Sequence, residues 1–205
     1  MELATERARP SFDVTEMTYL LRGGQKKTER KRELQNMIAS DPVFHKDQHL
    51  SRSDFFERSL QKAKRLVEIK REMQPTVDEI RWIKAAIDQE LPTDLHDGMF
   101  IYTIEGQATD EQKAKWLPLA RSYSIIGCYA QTELGHGSNV RGLETTATYD
   151  PQTQEFVMNS PTLTSSKWWP GGLGKAANHA MVFARLITRG KDYGIHPFIV
   201  QIRRY

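Results

Sequence analysis

The chain has 205 residues, 27% of them charged and 39% hydrophobic, a composition typical of a soluble globular protein of one or two domains. The formal net charge is only +3, and residues 151–205 carry the excess, with seven basic and two acidic side chains. A nucleic-acid-binding protein usually shows a larger excess or a long basic stripe, so this pattern predicts no nucleic-acid partner, although a local anionic ligand remains open.

Several further classes of protein are excluded by residue type. Cys128 is the one cysteine in the sequence, which rules out a disulfide within the chain and a cysteine-based zinc site. No run approaches 18 apolar residues, so no membrane-spanning helix is predicted. Residues 1–10 lack the apolar core of a secretory signal, and residues 201–205 do not match the peroxisomal Ser-Lys-Leu address. These features predict an intracellular soluble protein.

The first 120 residues are predicted to form helices. Apolar side chains recur there at helical spacing over roughly residues 13–21, 28–39, 51–73, 76–91, 95–104 and 109–116. Capping signals mark four of the starts, at Asp13, at Ser51 with Asp54, at Thr76 with Glu79 and at Thr109 with Gln112. In the longest helix one buried stripe is predicted, formed by Phe56, Leu60, Ala63 and Val67. The pattern indicates a helical bundle.

Near Ser122 the pattern changes to short runs with a strand composition. The predicted strands cover residues 124–130, 143–149, 156–158, 180–187 and 197–202, with a turn at 150–153. We therefore predict an α+β fold, an N-terminal helical bundle (residues 1–121) followed by an antiparallel β-barrel-like domain (residues 122–205). The last predicted strand ends with the chain, so we expect the β-domain to be truncated.

A first candidate site lies at residues 129–139, where a strand runs into a loop with two glycines. Glycines let a ligand approach the backbone, and the hydroxyls of Thr132 and Ser138 can donate or accept hydrogen bonds. By spacing alone, an ordinary surface turn remains the favoured alternative, and no phosphate-binding glycine motif is present.

A second candidate site lies at residues 167–175. Trp168 and Trp169 are adjacent, so in a strand-like segment they face opposite sides, and one can stack on a planar ligand. Gly171 and Gly172 could present free N–H groups to it. A hydrophobic edge followed by a glycine-rich turn is an equally good interpretation of the residues alone.

The titratable residues of the second half predict no catalytic group. His136 and His179 are the best candidates, but a single histidine near a turn is usually structural, and no metal-binding or triad spacing occurs. Glu133 beside the glycine loop could act as an acid or base, but a hydrogen-bonded structural carboxylate is favoured. We predict neither a catalytic residue nor a metal site within the chain.

At these two segments the sequence closely resembles the peroxisomal acyl-CoA oxidases, flavoproteins of the acyl-CoA dehydrogenase superfamily. The resemblance rests on residues 129–137, 141–150, 159–162 and 167–175, and more loosely on 30–33 and 98–100. It extends from about Ser11 to Arg203. The segment Trp168-Trp169-Pro170-Gly171 has the form found in the oxidase branch, where the dehydrogenases have Trp-x-Thr-Asn.

The resemblance implies a cofactor, a substrate and roles for five residues. Family members bind FAD, oxidise an acyl-CoA to the trans-2-enoyl-CoA and pass the electrons to O2, giving H2O2. A glutamate removes the α-proton while the flavin N5 accepts the β-hydride. By position, the flavin would be contacted by Thr132, Gly171, Trp168 and Trp169, and Ser138 is a weaker candidate for contacting the acyl-CoA.

The chain is about one third as long as family members, and the resemblance implies that their catalytic glutamate lies in a C-terminal helical domain outside it. One interpretation is a fragment or truncated product of an acyl-CoA oxidase, inactive when isolated. The alternative is a short isoform that acts as a non-catalytic interaction module with full-length subunits. The resemblance also implies a homodimer and a peroxisomal location, although a true C-terminus at Tyr205 without the tripeptide would imply the cytoplasm.

Overall fold

A computed structural model describes residues 3–46 and 49–203 of the chain. The structure divides into two compact units, Met1–Leu91 and Pro92–Tyr205, which are described separately below. The boundary between family domains that the sequence suggests, at residues 121/122, is a different kind of division and stays a prediction.

The first unit is helical. Its helices are α1 (Leu3–Arg7), α2 (Val14–Leu21), α3 (Gln25–Ser40), α4 (Arg52–Met73) and α5 (Val77–Ile87), with a 3-10 turn at Pro42–Phe44. The predicted caps are confirmed in this unit, because the side chains of Asp13, Ser51 and Thr76 accept hydrogen bonds from backbone N–H groups in the first turns of α2, α4 and α5. Helix α5 ends at Ile87, earlier than predicted, because Asp88 adopts the left-handed conformation that closes a helix.

The core of the first unit is formed by aliphatic side chains of α3, α4 and α5, among them Leu34, Leu66 and Ile83. The predicted stripe on α4 is wrong in its rotation about the helix axis. Only Ala63 of its four residues is fully buried, while Leu60 is 39% exposed. The buried face of α4 instead carries Ser59, Lys62, Ala63, Leu66 and Ile69. This face includes the polar residues Ser59 and Lys62, so apolar periodicity alone does not identify it, and packing against the neighbouring helices decides which side of α4 is buried.

The second unit begins with helices and continues into a sheet. A π-helical turn at His96–Phe100 leads directly into α6 (Ile101–Gln107), which is followed by α7 (Asp110–Arg121). The predicted capping box at α7 is confirmed, with Thr109 and Gln112 bonding reciprocally. The described strands are β1 (Gly127–Ala130), β2 (Thr146–Asp150), β3 (Glu155–Asn159), β4 (His179–Thr188) and β5 (Lys191–Gln201).

The sheet is mixed, so the expectation of an antiparallel sheet is wrong for two of its four pairs. Strands β2–β3 and β4–β5 pair antiparallel, but β1 and β2 both run parallel to β4. Parallel neighbours need a long crossover, and the 48 residues 131–178 between β1 and β4 provide it. A closed barrel is not seen among the described strands. The α+β class is confirmed.

The core of the second unit joins α6 and α7 to the sheet. Phe100, Ile104 and Ala120 pack with Leu143 and with Met181 of β4. Tyr129 of β1 packs against the same cluster, so strands β1 and β4 are both anchored to helices of their own unit. The loops that follow β1 and precede β4 consequently begin and end at fixed points.

Candidate functional site

The two candidate segments identified in the sequence lie side by side in the structure. Loop 131–136 after β1 and loop 162–168 before β4 are joined by a short ladder of backbone hydrogen bonds. These run from the Trp168 N–H to the Thr132 carbonyl (3.0 Å), from Leu134 to Ser166 (3.0 Å) and from Gly135 to Thr164 (2.9 Å). Two segments about 30 residues apart therefore form one surface, with Thr132 and Trp168 directly paired.

Both tryptophans are presented to solvent. Trp168 is 59% exposed and Trp169 is 85% exposed, which is unusual for side chains with so much apolar area. Trp169 also has a backbone φ of 64°, a left-handed conformation that is a genuine outlier for a bulky residue. The hydroxyl of Thr132 makes no hydrogen bond with any part of the chain that the structure describes, so it is free for a ligand.

The glycine turn after the tryptophans differs from expectation at Gly171. Its N–H donates to the Trp169 carbonyl at 2.9 Å and closes a tight turn around Pro170, so the expectation that Gly171 presents a free N–H is wrong. A Cβ at Gly171 would lie 2.5 Å from Leu95 Cδ1, which shows close packing below the turn. Gly172 has a φ of 83°, which favours glycine at that position.

Ser138 lies on the exposed stretch that precedes the 3-10 turn Val140–Gly142, where its carbonyl accepts a hydrogen bond from the Val140 N–H at 3.0 Å. The structure brings together Thr132, Trp168, Trp169 and Gly171 in two adjoining loops. The role of Ser138 toward an acyl-CoA stays a prediction.

Below this surface lies a buried ion pair that the sequence did not reveal. Lys167 Nζ lies 3.2 Å from Glu133 Oε1, with the Glu133 side chain fully enclosed and the Lys167 side chain 13% exposed. The Glu133 carboxylate also accepts hydrogen bonds from the N–H groups of Glu144 (2.8 Å) and Thr145 (2.9 Å) and from the Thr145 hydroxyl (2.6 Å). Glu133 is thus a structural carboxylate, as favoured from its sequence context.

The environment of this pair sets its ionisation. Burial alone would raise the pKa of Glu133, but the hydrogen bonds from Glu144, Thr145 and Lys167 outweigh burial and lower it. Burial lowers the pKa of Lys167, and the bond to Glu133 partly offsets this effect. Glu133 is therefore held as a carboxylate, which suits a structural role better than proton transfer.

A second carboxylate ties the same loops together nearer the surface. The Thr162 hydroxyl donates to Glu144, His136 Nε2 lies 2.8 Å from it, and the Thr164 hydroxyl donates to it at 2.9 Å. These hydrogen bonds, that from Thr162 being the strongest influence, lower the pKa of Glu144 to about 2. His136 is accordingly engaged with a neighbouring side chain.

Two further titratable side chains of the second unit, His179 and Cys128, are buried. His179 contacts Asn178 at 2.9 Å, and burial lowers its pKa. Burial raises the pKa of the Cys128 thiol to about 11, so it is a poor nucleophile. Within residues 3–46 and 49–203, no group of three potential metal ligands occurs, and no helix is long and apolar enough to cross a membrane.

Comparison with known proteins now decides the family. The family model described as acyl-coenzyme A oxidase N-terminal matches residues 13–126, more than half of the chain. The chain belongs to the acyl-CoA oxidase family. The resemblance noted in the sequence is thereby confirmed.

Curated relatives cover the rest of the chain as well. It is 53% identical to peroxisomal acyl-coenzyme A oxidase 1 of Arabidopsis thaliana over 207 residues and 51% identical to the Homo sapiens protein of the same name. Each match covers 98% of this chain and 31% of the relative. The chain therefore spans about a third of the length of these acyl-CoA oxidases.

Solved structures agree with the fold. An acyl-CoA oxidase from tomato superposes with a TM-score of 0.93 at 54% identity, covering 98% of this chain and 31% of that one. Acyl-CoA oxidase-1 of Caenorhabditis elegans, complexed with FAD and ATP, gives a TM-score of 0.89 at 39% identity, with 98% and 32% covered. Flavin use is thus established within the family.

The surface around Thr132 and Trp168 fits a flavin chemically. A flavin ring is flat and largely apolar, with polar atoms at its edges, and exposed indole rings next to a free hydroxyl match that combination. Lys167 and Glu144 lie in segments that the sequence analysis singled out, 167–175 and 141–150, but no role at the site was predicted for either side chain. The only available signal for Lys167 was a charge in an otherwise uncharged segment before the tryptophans.

Proposed function

We propose that this chain forms one wall of the FAD site of an acyl-CoA oxidase, an enzyme that converts an acyl-CoA to the trans-2-enoyl-CoA and transfers the electrons to O2. The observation that supports this most directly is the backbone hydrogen bond that pairs Thr132 with Trp168. It places the free hydroxyl of Thr132 beside the exposed indoles of Trp168 and Trp169.

Each residue of the wall has a distinct task. The Thr132 hydroxyl hydrogen-bonds a polar edge of the flavin, and one of the two indoles, Trp168 or Trp169, packs against its ring. Gly171 contributes backbone, held close to Leu95 by the absence of a side chain. Pro170 has neither a hydroxyl nor an N–H, so donors at this position come from its neighbours. Ser138 contacts the acyl-CoA.

Bound FAD supplies the acceptor for the β-hydride. We expect the base that removes the α-proton to come from the part of the relatives that this chain does not span, and general-base catalysis is typically worth about 10²–10⁴ in rate. We expect the remaining flavin contacts to come from the same part of the relatives, so the isolated 205-residue chain should purify without stoichiometric flavin absorbance and produce no acyl-CoA-dependent peroxide. The relatives' names also support a peroxisomal location and an acyl-CoA substrate, and we expect the complete enzyme to be a homodimer.

The test is a chimera in which this chain replaces the matching segment of the Arabidopsis relative. We expect the chimera to bind FAD and to produce peroxide. Thr132→Val and Trp168→Leu should each weaken FAD binding at least tenfold in a fluorescence titration. Thr103→Val makes the same substitution in α6, at a hydroxyl that donates to the Met99 carbonyl, and should leave FAD binding unchanged. A chimera that folds but binds no FAD, or unchanged affinity in both site variants, would contradict the proposal.

A second function, an interaction module for full-length subunits, is favoured by one observation. Leu20 and Leu21 at the end of α2 are 76% and 79% exposed, so they present apolar surface. If this function is correct, the chain should co-elute with the full-length Arabidopsis relative in size-exclusion chromatography. Leu20→Ser combined with Leu21→Ser should abolish co-elution, and separate elution of the unaltered chain would exclude this function.

A further inference from the structure

The buried pair of Glu133 and Lys167 occupies a special place in the chain. Glu133 follows Thr132 directly, and Lys167 directly precedes Trp168, so each partner is covalently adjacent to a proposed flavin contact. The two residues also face each other across the ladder that joins the loops. Anything that shifts this pair therefore shifts Thr132 and Trp168.

Each partner of the pair is fully used by the protein. Lys167 Nζ has three N–H groups, and it donates to the Gln131 carbonyl (3.0 Å), the Phe183 carbonyl (2.7 Å) and Glu133 (3.2 Å). The ammonium thus connects the loop after β1 to the middle of β4. The Glu133 carboxylate connects the same point to Thr145, just before β2. One ion pair ties together the segments that follow β1, precede β2 and precede β4.

Overall stability is a weak explanation for such a pair. Taking two charges out of water costs about as much as their attraction returns, and well-packed apolar residues often replace a buried ion pair without loss of stability. A buried charged network does, however, define one geometry sharply, because each hydrogen bond has a preferred distance and direction. A function that needs fixed geometry accounts better for this network.

We propose that Lys167 and Glu133 are positioning residues that hold Thr132 and Trp168 at a fixed separation for the flavin. This inference rests on the proposed function. The pair contacts no reacting atom itself, and it acts through its neighbours on the two loops. The Thr145 hydroxyl belongs to the same network, because it donates to the carboxylate from inside the protein.

The first test needs no flavin. Amide hydrogen exchange of the 205-residue chain reports the Trp168 N–H, which donates to Thr132, and the Met181 N–H in the core strand β4. In Lys167→Met we expect exchange at Trp168 to be at least tenfold faster and exchange at Met181 to change less than threefold. Equal acceleration at both sites, or none at Trp168, would overturn the proposal.

Because Lys167→Met leaves a buried carboxylate without its cation, this variant can fail to fold. Thr145→Val is the milder alternative, since it keeps the ion pair and removes one hydroxyl, which donates to Glu133 at 2.6 Å and also lies 3.0 Å from Ser160 Oγ and 3.2 Å from the Ser165 carbonyl. Its matched control is Thr103→Val, which removes the 2.8 Å bond from the Thr103 hydroxyl in α6 to the Met99 carbonyl in the preceding π-helical turn. We expect Thr145→Val to accelerate exchange at Trp168 at least threefold more than Thr103→Val does, and equal effects would overturn the proposal.

The second test uses the FAD-binding chimera. Thr145→Val should raise the Kd for FAD at least threefold and shift the flavin absorption band. Thr103→Val should change neither, even when its melting temperature is lowered as much as that of Thr145→Val. If the unsubstituted chimera binds no FAD, the proposed function fails, whereas the exchange experiment still decides whether the pair holds the two loops. If FAD affinity is unchanged although exchange at Trp168 is faster, the positioning role is contradicted, while the proposed FAD site is not.

Discussion

At the scale of single residues, Gly127 shows how little space the second unit leaves. A Cβ at this position would lie 2.2 Å from the ring of Phe100, which is completely buried. The Gly127 N–H also donates to His96 Nδ1 at 3.0 Å, while His96 Nε2 lies 2.9 Å from the Ala120 carbonyl. The ring must therefore carry its hydrogen on Nε2, and strand β1 is locked to the helices.

We predict that Gly127→Ala lowers the free energy of unfolding by about 1–3 kcal/mol or more, the usual cost of overpacking a core. Urea unfolding followed by circular dichroism measures this as a lower midpoint at an unchanged slope. Gly137→Ala is the control, because a Cβ there meets nothing within 4 Å. Equal midpoints for the two variants would contradict the prediction.

At the scale of elements, local chemistry explains the connections between strands. The hairpin of β4 and β5 pairs Thr188 with Lys191 across a two-residue turn, Arg189-Gly190, with φ values of 50° and 73°. Two successive positive φ values define the turn type that matches the twist of antiparallel strands. Arginine is poorly suited to the first of these positions, whereas asparagine tolerates it.

Arg189→Asn should therefore raise the free energy of unfolding by about 0.5–1 kcal/mol, as optimised turns commonly do. Gly190→Ala, which places a Cβ at positive φ, should lower it by about 1 kcal/mol or more. Thermal unfolding of both variants beside the original chain is the measurement. A lower melting temperature for Arg189→Asn would show that Arg189 is not strained.

The loops of the site should respond to acid through Glu144. Its pKa is lowered to about 2 by Thr162, His136 and Thr164, against an ordinary value of 4.5. Because the folded-state pKa is depressed, the stabilisation is present above pH 4.5 and is lost as the pH falls toward 2. The stability difference between the original chain and Glu144→Gln should therefore shrink across that interval. A difference independent of pH would contradict this assignment.

At the scale of the whole molecule, the two compact units have separate cores. Ile83 belongs to the core of the first unit and Leu143 to that of the second, and both are buried. Truncation of either side chain to alanine should lower the stability of its own unit by about 2–5 kcal/mol. We expect the loss to be confined to the unit that contains the substitution, on one side of the division at Leu91–Pro92.

We predict that Ile83→Ala accelerates amide hydrogen exchange in α3 and α5 much more than in β4, and that Leu143→Ala does the reverse. The reason is that each substitution weakens only the core to which its side chain belongs, and local opening follows local stability. Mass spectrometry of exchanged peptides can resolve the two units. Similar acceleration in both units for either variant would show that they open together.

The sequence alone determined the features that depend on near neighbours in the chain. The caps at Asp13, Ser51, Thr76 and Thr109 follow from side chains that bond backbone groups three residues away. The five strands were recognised from composition, although β5 begins at Lys191, six residues before the predicted start, and the motifs around Thr132 and Trp168 led to the family that the comparisons confirm. Each of these signals lies within a short window of residues.

Only the tertiary structure decided which distant residues meet. The buried face of α4 and the parallel pairing of β4 with β1 and β2 depend on neighbours far away in sequence, so local periodicity predicted neither correctly. The pair of Glu133 and Lys167 joins loops 34 residues apart, and neither residue shows its partner in its own segment. Burial makes this pairing obligatory, because a charge removed from water must find its counterpart within the fold.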